Sequence, residues 1–463
     1  MSESLMAPVR IGRQAIGALG VLALALGTLQ SVVEPSLPML QRELGIGPSE
    51  GALISITLLI TGAVVVPIAG TLGDRYGGKR VLVWLMAVVS AGGLLSSLAP
   101  NLPVLLIGQL LQGAMVGALP LSFILVRRNL PPGQTQVAIG IVMGLFTGGG
   151  LLGTLIAGPV AEGLSRHWMF GLPTIAVVAT TLIVSRMMPH DPPVRSDARI
   201  DWLGAVLLSC TLIALMLGIM TMAAGLPPLG VAAIAVGVVA LATGWVTVER
   251  RVASPMVDLR MLAMPATWSS CLITLLMATS AGMAIFLVPQ LLAVSGDGYG
   301  FGASTTEIGL LLMPAAVVGV ASGMAGGFAA QRFGPRAVVT VSAVVSAIAL
   351  IALAVLHETT WQIVVAKVLT AIVAGLGSTA LLAGIATAVD SKDTGIATSL
   401  MVVTRVVGMV IGAQVAGAIL AAGTDPMVAH PAESAFVIGL AVAGVVSASS
   451  LLVIRFMGKG AQV

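Results

Sequence analysis

The sequence predicts an all-α polytopic membrane protein of fourteen spanning helices, on three observations. Of 463 residues, 57% are hydrophobic and only 9% charged, with a mean hydropathy of +1.08, whereas soluble domains carry about 25% charged residues. Apolar stretches of about 20 residues, enough to cross a bilayer, recur along the whole chain. Lysine and arginine gather on alternate sides of those stretches, as the positive-inside rule requires of cytoplasmic loops. The same composition excludes a disordered chain, which is polar and charge-rich. It excludes a nucleic-acid partner as well, because the pI of 9.5 rests on a net charge of only +4 with no basic polar domain to present it. Continuous runs of this length are helices rather than the alternating strands of a barrel.

The first segment, 15–38, follows Arg10 and Arg13 and runs on past Leu29. That is longer than the roughly 7–15-residue core of a signal peptide, so it reads as a retained spanning helix. Segments 51–71 and 81–99 flank a glycine-rich basic turn, and 103–126 follows after the short link 100–103. Segments 136–160 and 168–187 are punctuated by Gly and Pro, which membrane helices tolerate better than soluble ones. Segments 202–222 and 229–247, joined by the short link 223–228, carry almost no polar groups and are expected outside the bundles, lining no cavity. Segments 267–294, 305–326, 337–356, 362–388, 395–421 and 435–455 complete the set.

With the N-terminus inside, eighteen Lys and Arg fall in inner segments, against Arg42 and Arg166 in outer loops. The expectation is a multi-pass protein of the inner (plasma) membrane with both termini cytoplasmic. Lys367, Arg405 and one acid, Glu34, fall within the segments themselves. Cys210 and Cys271 both lie in apolar runs, so neither a disulfide framework nor a metal site is expected.

Gly70, Asp74, Arg75, Tyr76, Gly77 and Lys79, followed by Arg80, recur 257 residues later as Gly327, Gln331, Arg332, Phe333, Gly334 and Arg336. Each copy ends an even-numbered helix, the second and the tenth. Two homologous six-helix halves with helices 7 and 8 inserted account for this, and parallel repeats are a transporter signature. The division is 1–190 for the N-terminal bundle, 191–262 for the inserted pair with its linkers, and 263–463 for the C-terminal bundle.

Here the chain resembles the major facilitator superfamily, and more closely its fourteen-helix drug:proton antiporter branch. Gly70 to Arg80 resembles the superfamily motif between helices 2 and 3. Glu249 to Arg251 with Pro255, Asp258 and Arg260 resembles the branch signature before helix 9. Pro289, Gln290 and Gly309 to Pro314 resemble its helix 9–10 pattern, and Arg405, Gly408 and Gly412 its helix 13. The resemblance implies two six-helix bundles around a central cavity, and gating by the Gly70–Arg80 motif with its second copy. It implies proton-driven export of hydrophobic or amphipathic drugs or secondary metabolites, contributing to antibiotic resistance, powered by the proton gradient without a cofactor. Two departures stand out. Gln109 replaces the helix 4 arginine tied to proton coupling, and the helix 5 antiporter motif is worn, with Gly158 and Pro159 as a shifted substitute.

Glu34 lies in the outer third of helix 1, with Gln30 one turn below on the same face. An ionised carboxylate at membrane depth costs roughly 2.5–3.5 kcal/mol on insertion scales, so such acids default to function, here as proton carrier; the bland alternative is a hydrated interfacial acid. Lys367, nearly repeat-equivalent to Gln109, either tunes that carrier or snorkels to the outer surface. Arg405, near a helix midpoint, either joins the coupling site or ties to backbone carbonyls. Gln30, Gln109, Gln112 and Gln290, with Met143, Met277, Met283, Met313 and Met401, are candidates to line the substrate cavity, methionine offering an adaptable polarizable wall. Gly144, Gly148, Gly153 and Gly158 in helix 5, with Gly408 and Gly412 in helix 13, have the spacing of close helix contacts. They predict either ordinary packing or a seam that slides between the halves.

No catalytic triad, metal cluster or nucleotide loop is legible, so an enzyme is not expected, and the expected partners are a small hydrophobic or amphipathic substrate and the bilayer around a monomer. The alternatives on this fold are an uncoupled facilitator or lipid translocator. A membrane-embedded enzyme or sensor stands further off, since all four His lie near or outside helix ends.

Overall fold

Two prolines decide the shape of the first spanning helix. Pro35 and Pro38 remove the N–H groups that would meet the carbonyls of Ser31 and Glu34, and α1 breaks into Arg13–Ser31 and Val33–Leu44. It passes beyond residue 38, where the sequence predicts its end, and stops at Gly45, whose φ of 65° suits glycine as the cap. The computed structural model describes residues 13–129, 132–188, 201–223, 228–252, 264–294, 299–388, 394–424 and 431–457.

The remaining spans follow the predicted order. In the first half they are α2 (Pro48–Tyr76), α3 (Gly78–Ser97), α4, α5 (Pro132–Gly163) and α6 (Arg166–Met187). Helix α4 comes in three pieces, Leu102–Gln112, a 3-10 stretch Gly113–Gly117, and Ala118–Asn129. The tightened stretch lies where α4 presses on α2. A Cβ on Gly113 would lie 2.4 Å from Thr61 and 2.5 Å from the Leu58 carbonyl oxygen. The inserted pair is α7 (Trp202–Ala223) and α8 (Pro228–Glu249). The second half comprises α9 (Pro265–Ala293), α10 (Thr305–Phe333), α11 (Pro335–Val355), α12 (Thr360–Ala388), α13 (Thr394–Ala422) and α14 (Glu433–Ile454). Thirteen helices of the described chain are long and apolar enough to cross a membrane, and in α7 a shorter apolar stretch, Trp202–Leu215, takes the fourteenth place. Several reach 29 residues, about 44 Å at 1.5 Å per residue, so they overhang or tilt within a hydrocarbon core of about 30 Å.

The packing repeats with a shift of eight helices. Helix α1 packs on α5 and α6 as α9 packs on α13 and α14, and α3 packs on α4 and α6 as α11 packs on α12 and α14. Between halves the main crossings are α2 with α13 and α5 with α10, again a related pair, and the Val33–Leu44 segment of α1 also touches α9 and α10. Helix α7 lies against α8, α13 and α2, while α8 is almost wholly uncovered by protein.

For most of the glycine stripes this packing favours the first of the two alternatives, ordinary packing. Gly153 lies on the Thr28 backbone of α1, and Gly408 and Gly412 lie on Leu275 and Thr279 of α9. These contacts are inside each half rather than a seam between halves. A Cβ on Gly144 or Gly148 would meet nothing within 4 Å. Only Gly158 sits on the other half, where a Cβ would come 2.2 Å from the Thr306 backbone nitrogen of α10.

The apolar core shows which end of the molecule is shut. One large cluster runs from Leu22 and Leu37 of α1 through Leu287 of α9 and Leu420 of α13 to Phe436 of α14, joining the two halves. At the end carrying the basic turns, Ile273, Val339, Leu381 and Met401 form a separate cluster of the second half alone. The halves are fused at one end and part toward the other.

Candidate functional site

The two basic turns share one geometry. Gly77 and Gly334 adopt φ of 89° and 81°, in the region that favours glycine. Their N–H groups donate to the carbonyls of Gly73 and Ala330, both at 3.0 Å. Arg75 lies 5.3 Å over the Tyr76 ring and Arg332 lies 5.7 Å over Phe333. Lys79 donates to the Met188 carbonyl at 2.6 Å, tying the turn to the end of α6, while Arg80 and Arg336 are exposed. Gly70 lies in α2, and the side chain of Asp74 lies outside the described residues.

Between the halves is a cavity of about 730 Å³ walled by α1, α5, α9, α10 and α12. Glu34 and Lys367 enter it from opposite halves and meet: Lys367 Nζ donates to Glu34 Oε1 at 2.9 Å. Helix α1 positions the acid just beyond its break, and α12 presents the lysine about two turns from its start. The pair is mostly withdrawn from solvent, with side chains 29% and 12% exposed. Lys367 is therefore committed to the cavity rather than to the outer surface.

A second cavity of about 430 Å³ lies within the second half and shares Ala281, Ile285, Gly319, Gly323, Thr370 and Thr379 with the first, so the two adjoin. Arg405 of α13 projects into it, accessible from the cavity and with no hydrogen-bond or ion-pair partner among the described residues. Met277 and Met401 line the same wall, joined by Met409, which sequence reasoning missed although it lies one turn from Arg405 on the same face.

Several predicted lining residues are elsewhere. Gln109 and Gln112 are fully buried between α4 and α3, where Gln112 Nε2 donates to Ser96 Oγ at 2.7 Å. A glycine crossing, Gly92 against Gly108, brings the helices close enough for that bond. Met283 is fully buried in the core, and Gln30 and Met313 line neither cavity. The Met143 side chain lies outside the described residues. Gln290 is buried and donates to Gln41 Oε1 of α1 at the closed end, a bond between halves rather than a cavity contact.

That closed end carries two further polar clasps. Ser49 of α2 donates to the Gly417 carbonyl of α13 at 3.1 Å. Glu162, at the end of α5, accepts from the backbone N–H of Thr306 at 3.1 Å and from its hydroxyl at 2.7 Å. A carboxylate thus caps the first turn of α10, where unpaired N–H groups and the helix dipole favour negative charge.

Comparison with known proteins agrees with this architecture. The chain matches the Major Facilitator Superfamily over residues 19–249 and 270–460. It is 30% identical over 413 residues to an uncharacterised MFS-type transporter of Mycobacterium tuberculosis, covering 86% of this chain and 58% of that protein, so it spans little more than half the relative's length. It is 27% identical over 314 residues to the uridine/deoxyuridine transporter of Lactococcus lactis, covering 66% and 65%. It is 27% identical over 339 residues to a candidate multidrug resistance protein, MdtD, of Pectobacterium atrosepticum, covering 72% and 71%. Among solved structures, a bacterial homolog of the human lysosomal transporter Spinster, inward-facing and unoccupied, superposes with a TM-score of 0.66 at 17% identity, covering 96% and 95%. The nucleoside transporter NupG superposes with 0.65 at 14% identity, covering 95% and 99%. With the family match and thirteen membrane-length apolar helices in agreement, this chain belongs to the major facilitator superfamily and is a multi-pass membrane protein.

Proposed function

We propose that the protein is a proton-coupled exporter of amphipathic compounds, working by alternating access, with the Glu34–Lys367 pair as its coupling site. The observation that supports this is the position of the pair, one partner on each half across the cavity. Rocking the halves to open the clasped end separates α1 from α12. Glu34 then loses its cation in a low-dielectric wall, and taking up a proton removes the stranded charge. Re-forming the pair expels the proton. Conformation and protonation are linked in this way, which an exchanger requires.

With the basic turns placed on the cytoplasmic side, as the arginine and lysine distribution favours, both termini are cytoplasmic. The shape is then inward-facing, clasped outside and parted inside. The gating role of the basic turns, the inserted status of α7 and α8, and residence in a bacterial inner membrane belong to the same reading.

Transport by protein in proteoliposomes with an imposed pH gradient tests it. Wild type should concentrate an amphipathic dye against its gradient, and Glu34→Gln should bind the dye but fail to concentrate it. Uphill transport by Glu34→Gln at the wild-type rate would remove Glu34 as carrier. Nucleoside transport is the second reading, favoured by the Lactococcus lactis relative. It predicts that uridine competes with the dye, whereas a largely aliphatic wall offers a ribose few free hydrogen-bond groups.

A further inference from the structure

Charge in the adjoining cavities does not balance. Among the described residues that line them, the charged groups are Glu34, Lys367 and Arg405. Glu34 is also the chain's acid at membrane depth, and Lys367 holds it at 2.9 Å. Those two cancel. Arg405 is left as a lone cation on the wall of a cavity of about 430 Å³, within the size range of pockets that take drug-sized ligands.

A guanidinium remains ionised at any physiological pH, so this charge cannot be relieved by losing a proton. The guanidinium is open to the cavity, and none of the described neighbours supplies a counter-charge, so an incoming anion can meet it. The planar fork of Arg405 is suited to two parallel hydrogen bonds with a carboxylate, sulfonate or phosphate group. Around it, Met277, Met401 and Met409 with Leu350 and Leu382 offer an apolar wall for the rest of such a molecule.

We infer that Arg405 is the specificity-determining anchor of the substrate site, and that the preferred substrates are amphipathic anions rather than cations or neutral compounds. The anionic group meets Arg405 and the apolar body lies along the methionine wall toward the Glu34–Lys367 pair. This rests on the reading of the cavity as the transport site, and it names the substrate class that the reading leaves open. A cationic substrate would face an uncompensated positive charge at short range, where a low dielectric strengthens repulsion.

The test compares two probes with nearly the same ring system, anilinonaphthalene sulfonate and the neutral N-phenylnaphthylamine. Their binding to wild type and Arg405→Gln is measured in lipid nanodiscs, with empty discs subtracted. A charge-assisted contact of this kind is worth about tenfold to hundredfold in affinity. Wild type should prefer the sulfonate by that factor, and Arg405→Gln should bind both probes about equally. Arg405→Lys, which keeps the charge but not the fork, should retain part of the preference. Equal wild-type affinities, or a sulfonate preference that survives in Arg405→Gln, would overturn the inference. The wild-type comparison stands even if the variant does not fold. Because binding is read without a gradient, an uncoupled protein would fail the proteoliposome experiment and still give a clear answer here.

Discussion

Helices α4 and α12 hold repeat-related places and use their polar residues in opposite ways. On α4, Gln109 and Gln112 turn toward α3 and donate through their Nε2 groups to Ser96. On α12, Lys367 turns into the cavity and reaches across it to the other half. The contrast extends to the whole halves. The second half walls both cavities and carries Arg405, while the first contributes Glu34 and a stretch of small residues from Gly144 to Thr154. A repeat duplicates packing more faithfully than chemistry, because close helix crossings leave few choices of residue and a cavity wall leaves many.

The largest expected effect divides the two helices. Lys367→Gln should lower proton-driven uphill transport more than tenfold in proteoliposomes, while Gln109→Leu and Gln112→Ala should leave it within about twofold. Equal losses on α4 and α12 would dissolve the contrast. Each single substitution of the pair, Glu34→Gln or Lys367→Gln, should also destabilise the folded protein by about 1.5–3 kcal/mol, the worth of a hydrogen bond to a charged group. The double substitution should recover most of that stability without recovering coupling, which melting temperatures in detergent would show.

The next effect separates contacts between halves from contacts within them. A Cβ at Gly412 would come 2.0 Å from the Thr279 carbonyl oxygen inside the second half, a contact kept in every state if the halves move as bodies. Gly412→Ala should therefore lower the melting temperature by several degrees. At Gly158 the clash is with α10 of the other half, and it exists only while that end is shut. Gly158→Ala should leave the melting temperature nearly unchanged and populate the state open at that end, read as longer distances between spin labels on α5 and α10. A smaller expected change is that of Gln112→Ala, about 0.6–1.7 kcal/mol for a lost interhelical hydrogen bond in a membrane, seen in melting and not in substrate affinity.

The fold was legible in the sequence because the bilayer imposes it. Apolar length and the alternation of basic residues place the helices, and the Gly77 and Gly334 turns betray the repeat through a backbone angle that favours glycine. Glu34 and Lys367 stood out for a related reason, as charges where charge is expensive. What sequence could not supply was azimuth. Gln112 and Lys367 look alike as polar residues in apolar helices, and only the neighbouring helix decides that one packs and the other faces a cavity. The glycine stripes left packing and a seam equally open for the same cause, since spacing announces a close contact without naming the partner. The clasp of Glu162 on α10 gave no signal, because it joins residues 144 positions apart through a helix terminus.

That clasp offers the smallest effect and the finest test of how the halves close. Glu162 makes two hydrogen bonds to Thr306 at the start of α10, and Gly158, one turn earlier, lets the backbones touch. A charge at a helix N-terminus contributes about 0.3–1 kcal/mol when exposed and weakens with salt. Glu162→Gln retains an acceptor oxygen but removes the charge, so it should shift the balance toward the state open at that end by no more than about fivefold. Spin-label distances between α5 and α10 would report the shift, and raising the salt concentration should move wild type toward the variant while leaving the variant unmoved. Ser49→Ala, which breaks the uncharged clasp on α13, should give a shift that salt does not alter. If both variants respond to salt alike, the closed end is held by apolar contact and backbone fit, and the charge on Glu162 plays no part in shutting it.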